Sequence, residues 1–155
     1  MNRRTILASL VVFLAGVVVG LAQVDATAFM GTWKLDEAKS KLAPGSTKAT
    51  TVVYSGAADN QVKVTVDGTD KDGKPVHSEW TGKFDGKDYP VMGSPVANTW
   101  SYIPSGKHSL SMTQKKDGKT VATGKITVAL DGKTRTVTMS GAEPSMNYTA
   151  EYTKQ

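Results

Sequence analysis

Arg135 is the residue of this 155-residue chain best suited to binding chemistry, because it is the only arginine after residue 28. It alternates with Val137 and Met139, so in a strand all three share one face and Arg135 points to a core or its rim. A partly buried guanidinium binds carboxylate or phosphate well, which suits an anionic ligand. Stacking on Trp33 or pairing with Glu151 would make it structural instead, and the sequence leaves these alternatives open.

Aromatic and sulfur-containing side chains form a second group of candidates. Tyr54, Trp80, Tyr102 and Met112 fall at inward positions of alternating runs, so we expect them and Arg135 to line an interior site. An apolar or amphipathic ligand would suit such walls. A filled interior explains the same residues equally well. A void above ~300 Å³ would favour a ligand site, and a packed interior would exclude one.

Other polar groups give no recognisable catalytic or metal-binding pattern. Gly68 to Glu79 resembles a calcium loop only in part, and His77 and Glu79 share one strand face without further ligands. Asp85 and Asp88 fall in a turn, where carboxylates stay solvated. With no cysteine in the chain, thiol catalysis and cysteine–zinc sites are excluded. We therefore expect no enzyme activity, no metal and no cofactor.

The elements that must position these residues are short strands. Apolar and polar residues alternate almost throughout, and Asp-Gly-Lys occurs four times between the alternating runs, at Asp72, Asp85, Asp117 and Asp131. Asp-Gly is a strong hairpin signal, since glycine accepts the positive φ of tight turns. The pattern predicts an all-β antiparallel meander closed into an 8–10-stranded barrel, because closure removes free edges. At most one short helix is expected, over Asp36 to Leu42 after strand 1.

The first 28 residues are predicted to be a signal peptide. Arg3 and Arg4 precede an apolar stretch, and Ala26-Thr27-Ala28 matches a cleavage signal, leaving residues 29–155 as one domain. An uncleaved anchor and twin-arginine export are alternatives. In either case the barrel is exported, to the periplasm or the extracellular space.

Charge bears on the partners. Of 19 basic and 14 acidic residues, two arginines and one aspartate fall in the leader, so 17 and 13 remain. The lysines are scattered rather than gathered on one face, which argues against a nucleic-acid partner. We expect a monomer with no membrane span after signal cleavage.

The run from Phe29 to Leu35 resembles the first strand of calycins, the lipocalin and fatty-acid-binding-protein group, in which Gly-x-Trp opens the barrel. Gly31 and Trp33 match that signature. From the residues themselves we expect the Trp33 indole to lie across the closed end of the barrel, with Gly31 allowing a close approach of the backbone and Arg135 as the cation above the indole. Fatty-acid-binding proteins grip a carboxylate through Arg-x-Tyr near the C-terminus, whereas the aligned residues here are Ala150-Glu151-Tyr152. The chain also resembles a largely uncharacterised group of small exported bacterial proteins that begin Gly-Thr-Trp-Lys-Leu.

The sequence thus predicts an exported, lipocalin-like barrel that binds a small apolar or amphipathic ligand. The alternative is a filled barrel that docks an envelope partner through its loops, around residues 90–95 and 140–147. The size of the interior void distinguishes the two.

Overall fold

Ten antiparallel strands form one closed barrel in the computed structural model, which describes residues 23–155. Each strand pairs with its neighbour in sequence, and the last pairs with the first, so the predicted all-β meander barrel is confirmed. The strands are β1 (Gly31–Lys41), β2 (Lys48–Ala57), β3 (Gln61–Thr69), β4 (Pro75–Gly82), β5 (Tyr89–Met92), β6 (Thr99–Gly106), β7 (Ser109–Lys116), β8 (Lys119–Val128), β9 (Thr134–Gly141) and β10 (Tyr148–Lys154).

All four Asp-Gly-Lys sequences lie in the turns between strands, as predicted. Their glycines have positive φ angles between 69° and 78°, a conformation in which a side chain would be strained. The turns join β3 to β4, β4 to β5, β7 to β8 and β8 to β9. The residues of these turns therefore determine how four pairs of consecutive strands are connected.

The short α-helix, α1 (Ala26–Phe29), lies before β1 and not after it. The segment predicted to be helical, Asp36 to Leu42, is instead the second half of β1 and the residue that follows it. There the strand bulges between Asp36 and Lys41, and the Ser40 hydroxyl accepts a 2.9 Å hydrogen bond from the Glu151 amide. Pairing with β10 prevails because so short a helix is unstable without packing.

The barrel has two different ends. The mouth is the end at which the loops 42–47, 93–98 and 142–147 join successive strands, and the closed end is the opposite one. Helix α1 lies at the closed end, where the Asp25 amide donates a 2.9 Å hydrogen bond to the Lys107 carbonyl. Both loops expected at an open end, around 90–95 and 140–147, reach the mouth.

The packed structure begins upstream of the predicted domain boundary at Phe29. Val24 and Ala28 contact the hydrophobic core, although both fall within the predicted leader. Most of that leader, residues 1–22, lies outside the described residues, so its cleavage stays a prediction. Within residues 23–155 no helix has the length and apolar character needed to cross a membrane.

Candidate functional site

The closed end of the barrel is built around Trp33. Its side chain is fully buried, and the indole N–H donates a 2.8 Å hydrogen bond to the carbonyl of Phe29, which is also fully buried. Helix α1 thus brings a backbone acceptor beneath the first strand. This bond satisfies the one polar atom of the indole, as a buried tryptophan requires.

Gly31 is the first residue of β1, close after the end of α1, and its backbone has a conformation that favours glycine. Its φ angle is +109°, and a Cβ there would lie 3.0 Å from Cε of Lys154. The sequence suggested that Gly31 is needed for a close backbone approach. The structure gives a different reason, because the contacted atom belongs to a flexible side chain and the constraint is the positive φ.

Trp80 is the one predicted lining residue that lies away from the interior void. It is buried among aromatic rings near the closed end. The centre of its ring system lies 4.7 Å from the ring centre of Tyr102 and 6.4 Å from that of Phe84. Its indole N–H donates a 3.0 Å hydrogen bond to the Trp100 carbonyl. Trp80 therefore packs against other aromatic rings and does not line the cavity. The alternation of residues predicts only that Trp80 points inward, which is true of both positions.

Arg135 lies inside the barrel on β9, with only 2% of its surface exposed. The guanidinium carbon is 5.2 Å from the ring centres of both Trp33 and Tyr54, and 4.5 Å from that of Tyr152. The predicted contact with Trp33 is thus present. These distances are typical of cation–π attraction, which favours a cation over an aromatic face.

No carboxylate among residues 23–155 forms an ion pair with Arg135. Glu151, a predicted alternative partner, instead accepts 2.9 Å hydrogen bonds from the Thr136 hydroxyl. Two nitrogens of the guanidinium, Nε and Nη1, are buried without a hydrogen-bond partner. A buried charge that lacks both a counter-ion and hydrogen-bond acceptors lowers the stability of the folded protein.

A cavity of about 160 Å³ runs from Arg135 toward the mouth. Four of the predicted residues border it, namely Tyr54, Tyr102, Met112 and Arg135. The opposite end reaches the mouth loops at Thr47, Pro95 and Met146. The interior is therefore hollow, but the void is smaller than the ~300 Å³ expected of an ordinary ligand pocket.

Small residues at inward positions create much of this void, and none of them was among the residues predicted to line it. Ser78 and Ala122 are buried and border the cavity, where larger side chains would fill it. Both occupy inward positions of alternating strands, so comparing the volumes of inward residues could have found them.

Three of the tyrosines that border the cavity, Tyr102, Tyr148 and Tyr152, are kept neutral by their burial. Burial raises the pKa of Tyr102 well above its usual value, and it also raises the pKa of Tyr148 and of Tyr152, although the nearby Arg135 acts in the opposite direction. None of these three tyrosines therefore supplies a phenolate that would balance the charge of the guanidinium. The cavity has apolar and aromatic walls, neutral hydroxyl groups and one cation.

The polar groups noted on β3 and β4 lie on the outer surface. His77 bridges two carboxylates, with Nδ1 2.6 Å from Asp67 and Nε2 3.2 Å from Glu79, while Lys63 pairs with Glu79. Hydrogen bonds to Asp67 and Glu79 raise the pKa of His77. In the partial calcium loop, Asp70 accepts hydrogen bonds from two turn amides, as expected of a hairpin.

Searches of protein families and of curated proteins found no match for this chain. Among solved structures, it is similar to a redesigned β-barrel, mFAP1, bound to DFHBI, at 13% identity and a TM-score of 0.48, with 83% of this chain and 96% of that one covered. It is also similar to a fluorescence-activating β-barrel designed de novo, at 17% identity and a TM-score of 0.43, with 84% and 96% covered. At such distances the likeness carries no information on what this chain binds.

Proposed function

We propose that this protein is an exported barrel that binds a small amphipathic molecule in its interior. The cavity that runs from Arg135 to the mouth is the observation that carries the proposal. The void of about 160 Å³ does not reach the ~300 Å³ of an ordinary ligand pocket, but a close-packed interior would leave less space, so the void supports a ligand over a filled barrel that docks a partner through its loops. The void suits a ligand of one ring or a short chain, since cavities of about 150 Å³ admit benzene.

The proposal is one of binding without covalent chemistry. Burial raises the pKa of Tyr102, Tyr148 and Tyr152 and so keeps these cavity tyrosines protonated, which makes them poor bases. Asp85 lies in the β4–β5 turn at the closed end, away from the cavity lining. Partial burial acts to raise its pKa, but hydrogen bonds from the Lys87 amide and the Tyr89 hydroxyl outweigh this and lower it. A carboxylate in that position is a turn-forming group.

Export is proposed from the leader sequence alone. A reporter that is active only after export, fused after residue 28, would test this. We expect activity with the natural leader and none when Arg3 and Arg4 are replaced and the apolar stretch is interrupted by charges.

A ligand screen with a filled-cavity variant tests the binding function. Neutral probes such as toluene and indole should raise the melting temperature of the wild-type protein, because a ligand of the folded state stabilises it. Ala122→Leu places three more carbon atoms in the void and should abolish this effect. Thr123→Leu is the matched control, since the neighbouring residue on β8 is exposed. Equal responses in both variants would contradict binding in the cavity.

A further inference from the structure

Arg135 is a buried cation without a counter-ion among the described residues, and it borders the cavity. An arginine side chain keeps its positive charge throughout the physiological pH range. The three surrounding rings attract that charge through their quadrupoles, but they remain neutral. The hydrogen-bonding capacity of Nε and Nη1 is likewise unused. The uncompensated charge at this end of the cavity therefore favours an anion.

The walls of the cavity restrict what else such an anion can carry. Between Arg135 and the mouth they are formed mainly by apolar side chains, including Val64, Ile126 and Met139. The volume of about 160 Å³ leaves room for roughly one ring, by comparison with cavities of about 150 Å³ that admit benzene. The Tyr152 hydroxyl does not serve as a donor to such an anion, because it donates its one hydrogen to the Ala49 carbonyl at 3.0 Å.

We propose that the ligand is a small monocarboxylate, with its acid group on Arg135 and its apolar part directed toward the mouth. This rests on the proposed function and specifies the ligand class. A carboxylate is planar and matches the guanidinium in two parallel hydrogen bonds. Its single negative charge balances the single positive one, whereas a doubly charged phosphate would leave surplus charge in an apolar cavity.

Titration calorimetry with three probes of one ring tests the proposal. Sodium benzoate should bind the wild-type protein at least tenfold more tightly than benzyl alcohol, and benzylammonium should not bind. In Arg135→Met the preference for benzoate should vanish while benzyl alcohol still binds. Lys154→Met is the matched control, because the Lys154 ammonium lies 5.2 Å from the ring centre of Trp33 but outside the cavity lining. It should keep the preference.

The outcomes separate this proposal from the function on which it rests. If benzyl alcohol binds wild-type protein as tightly as benzoate, the carboxylate proposal is wrong and the binding function stands. Loss of the preference in Lys154→Met would overturn it as well, because general surface charge would then explain the selectivity. If no probe binds, the binding function fails too. Should Arg135→Met not fold, Arg135→Lys replaces it and should bind benzoate less tightly than wild type, since a lysine offers no planar pair of donors.

Discussion

Arg135 and Tyr152 face each other across the β9–β10 pair, with the guanidinium carbon 4.5 Å from the centre of the phenol ring. The same guanidinium contacts Trp33, which is buried beneath it at the closed end, and borders the cavity. One side chain therefore takes part in both barrel closure and the candidate binding site. Mutations at these positions can separate the two roles.

Replacing Arg135 should affect the stability of the unliganded protein only slightly. Breaking a buried ion pair costs about 3–5 kcal/mol because an unpaired charge is left behind. In Arg135→Met the charge itself is removed, so the free-energy cost of burying it disappears. This gain offsets the loss of three cation–π contacts. We expect the unfolding free energy of Arg135→Met, measured by urea denaturation, to lie within about 1 kcal/mol of wild type. A loss above about 3 kcal/mol would show that the guanidinium is mainly structural.

Trp33→Ala should destabilise the barrel by about 3–5 kcal/mol, the usual cost of truncating a large buried ring. Trp33→Phe keeps much of the volume but removes the hydrogen bond to Phe29, so a loss of about 1–3 kcal/mol is expected. Both values can be read from denaturant curves. If Trp33→Ala costs less than about 1 kcal/mol, the closure role is wrong.

The fold could be predicted because its signals are local. Each Asp-Gly-Lys turn specifies a hairpin, and strict alternation specifies which residues point inward, so the strand order follows without long-range information. The helix position was wrong for the opposite reason. The helical spacing of Asp36 to Leu42 gives no sign that the Ser40 hydroxyl accepts a hydrogen bond from the backbone amide of Glu151, which is far away in the sequence.

The site could be predicted only in part. Alternation predicts inward positions for Tyr54, Tyr102, Met112 and Arg135, which border the cavity, but it cannot tell a void from a packed core. That difference depends on small residues such as Ala122 and on the packing of Trp80 against other rings. Both are properties of several strands together. The sequence therefore identified the wall but not the size of the cavity.

The position of the mature N-terminus should affect stability. A chain that begins at Phe29 lacks the hydrogen bond from Asp25 to Lys107, the Asp25 cap on Thr27 and the packing of Val24 and Ala28. Compared with a chain that begins at Gln23, we expect it to be less stable by about 1–3 kcal/mol. Thermal unfolding of the two forms measures this, and equal melting temperatures would show that α1 does not contribute to closure.

His77 should titrate above its usual value of 6.5, because hydrogen bonds to Asp67 and then to Glu79 favour the imidazolium and raise its pKa. With a raised pKa in the folded state, its contribution to stability is present below pH 6.5 and is lost as the pH rises through the raised pKa. NMR titration of the ring protons gives the pKa directly. Asp67→Asn should lower it, and an unchanged value would contradict the role of that contact.

The most direct test of the binding site is an NMR titration of methionine methyl groups with toluene. Met112 and Met139 border the cavity, whereas Met92 is 74% exposed on β5 and serves as an internal control. We expect saturable shifts and intermolecular NOEs at Met112 and Met139, with the Met92 signal unchanged. Shifts at Met92 alone, or saturation without any NOE to the two cavity methionines, would contradict a ligand site inside the barrel.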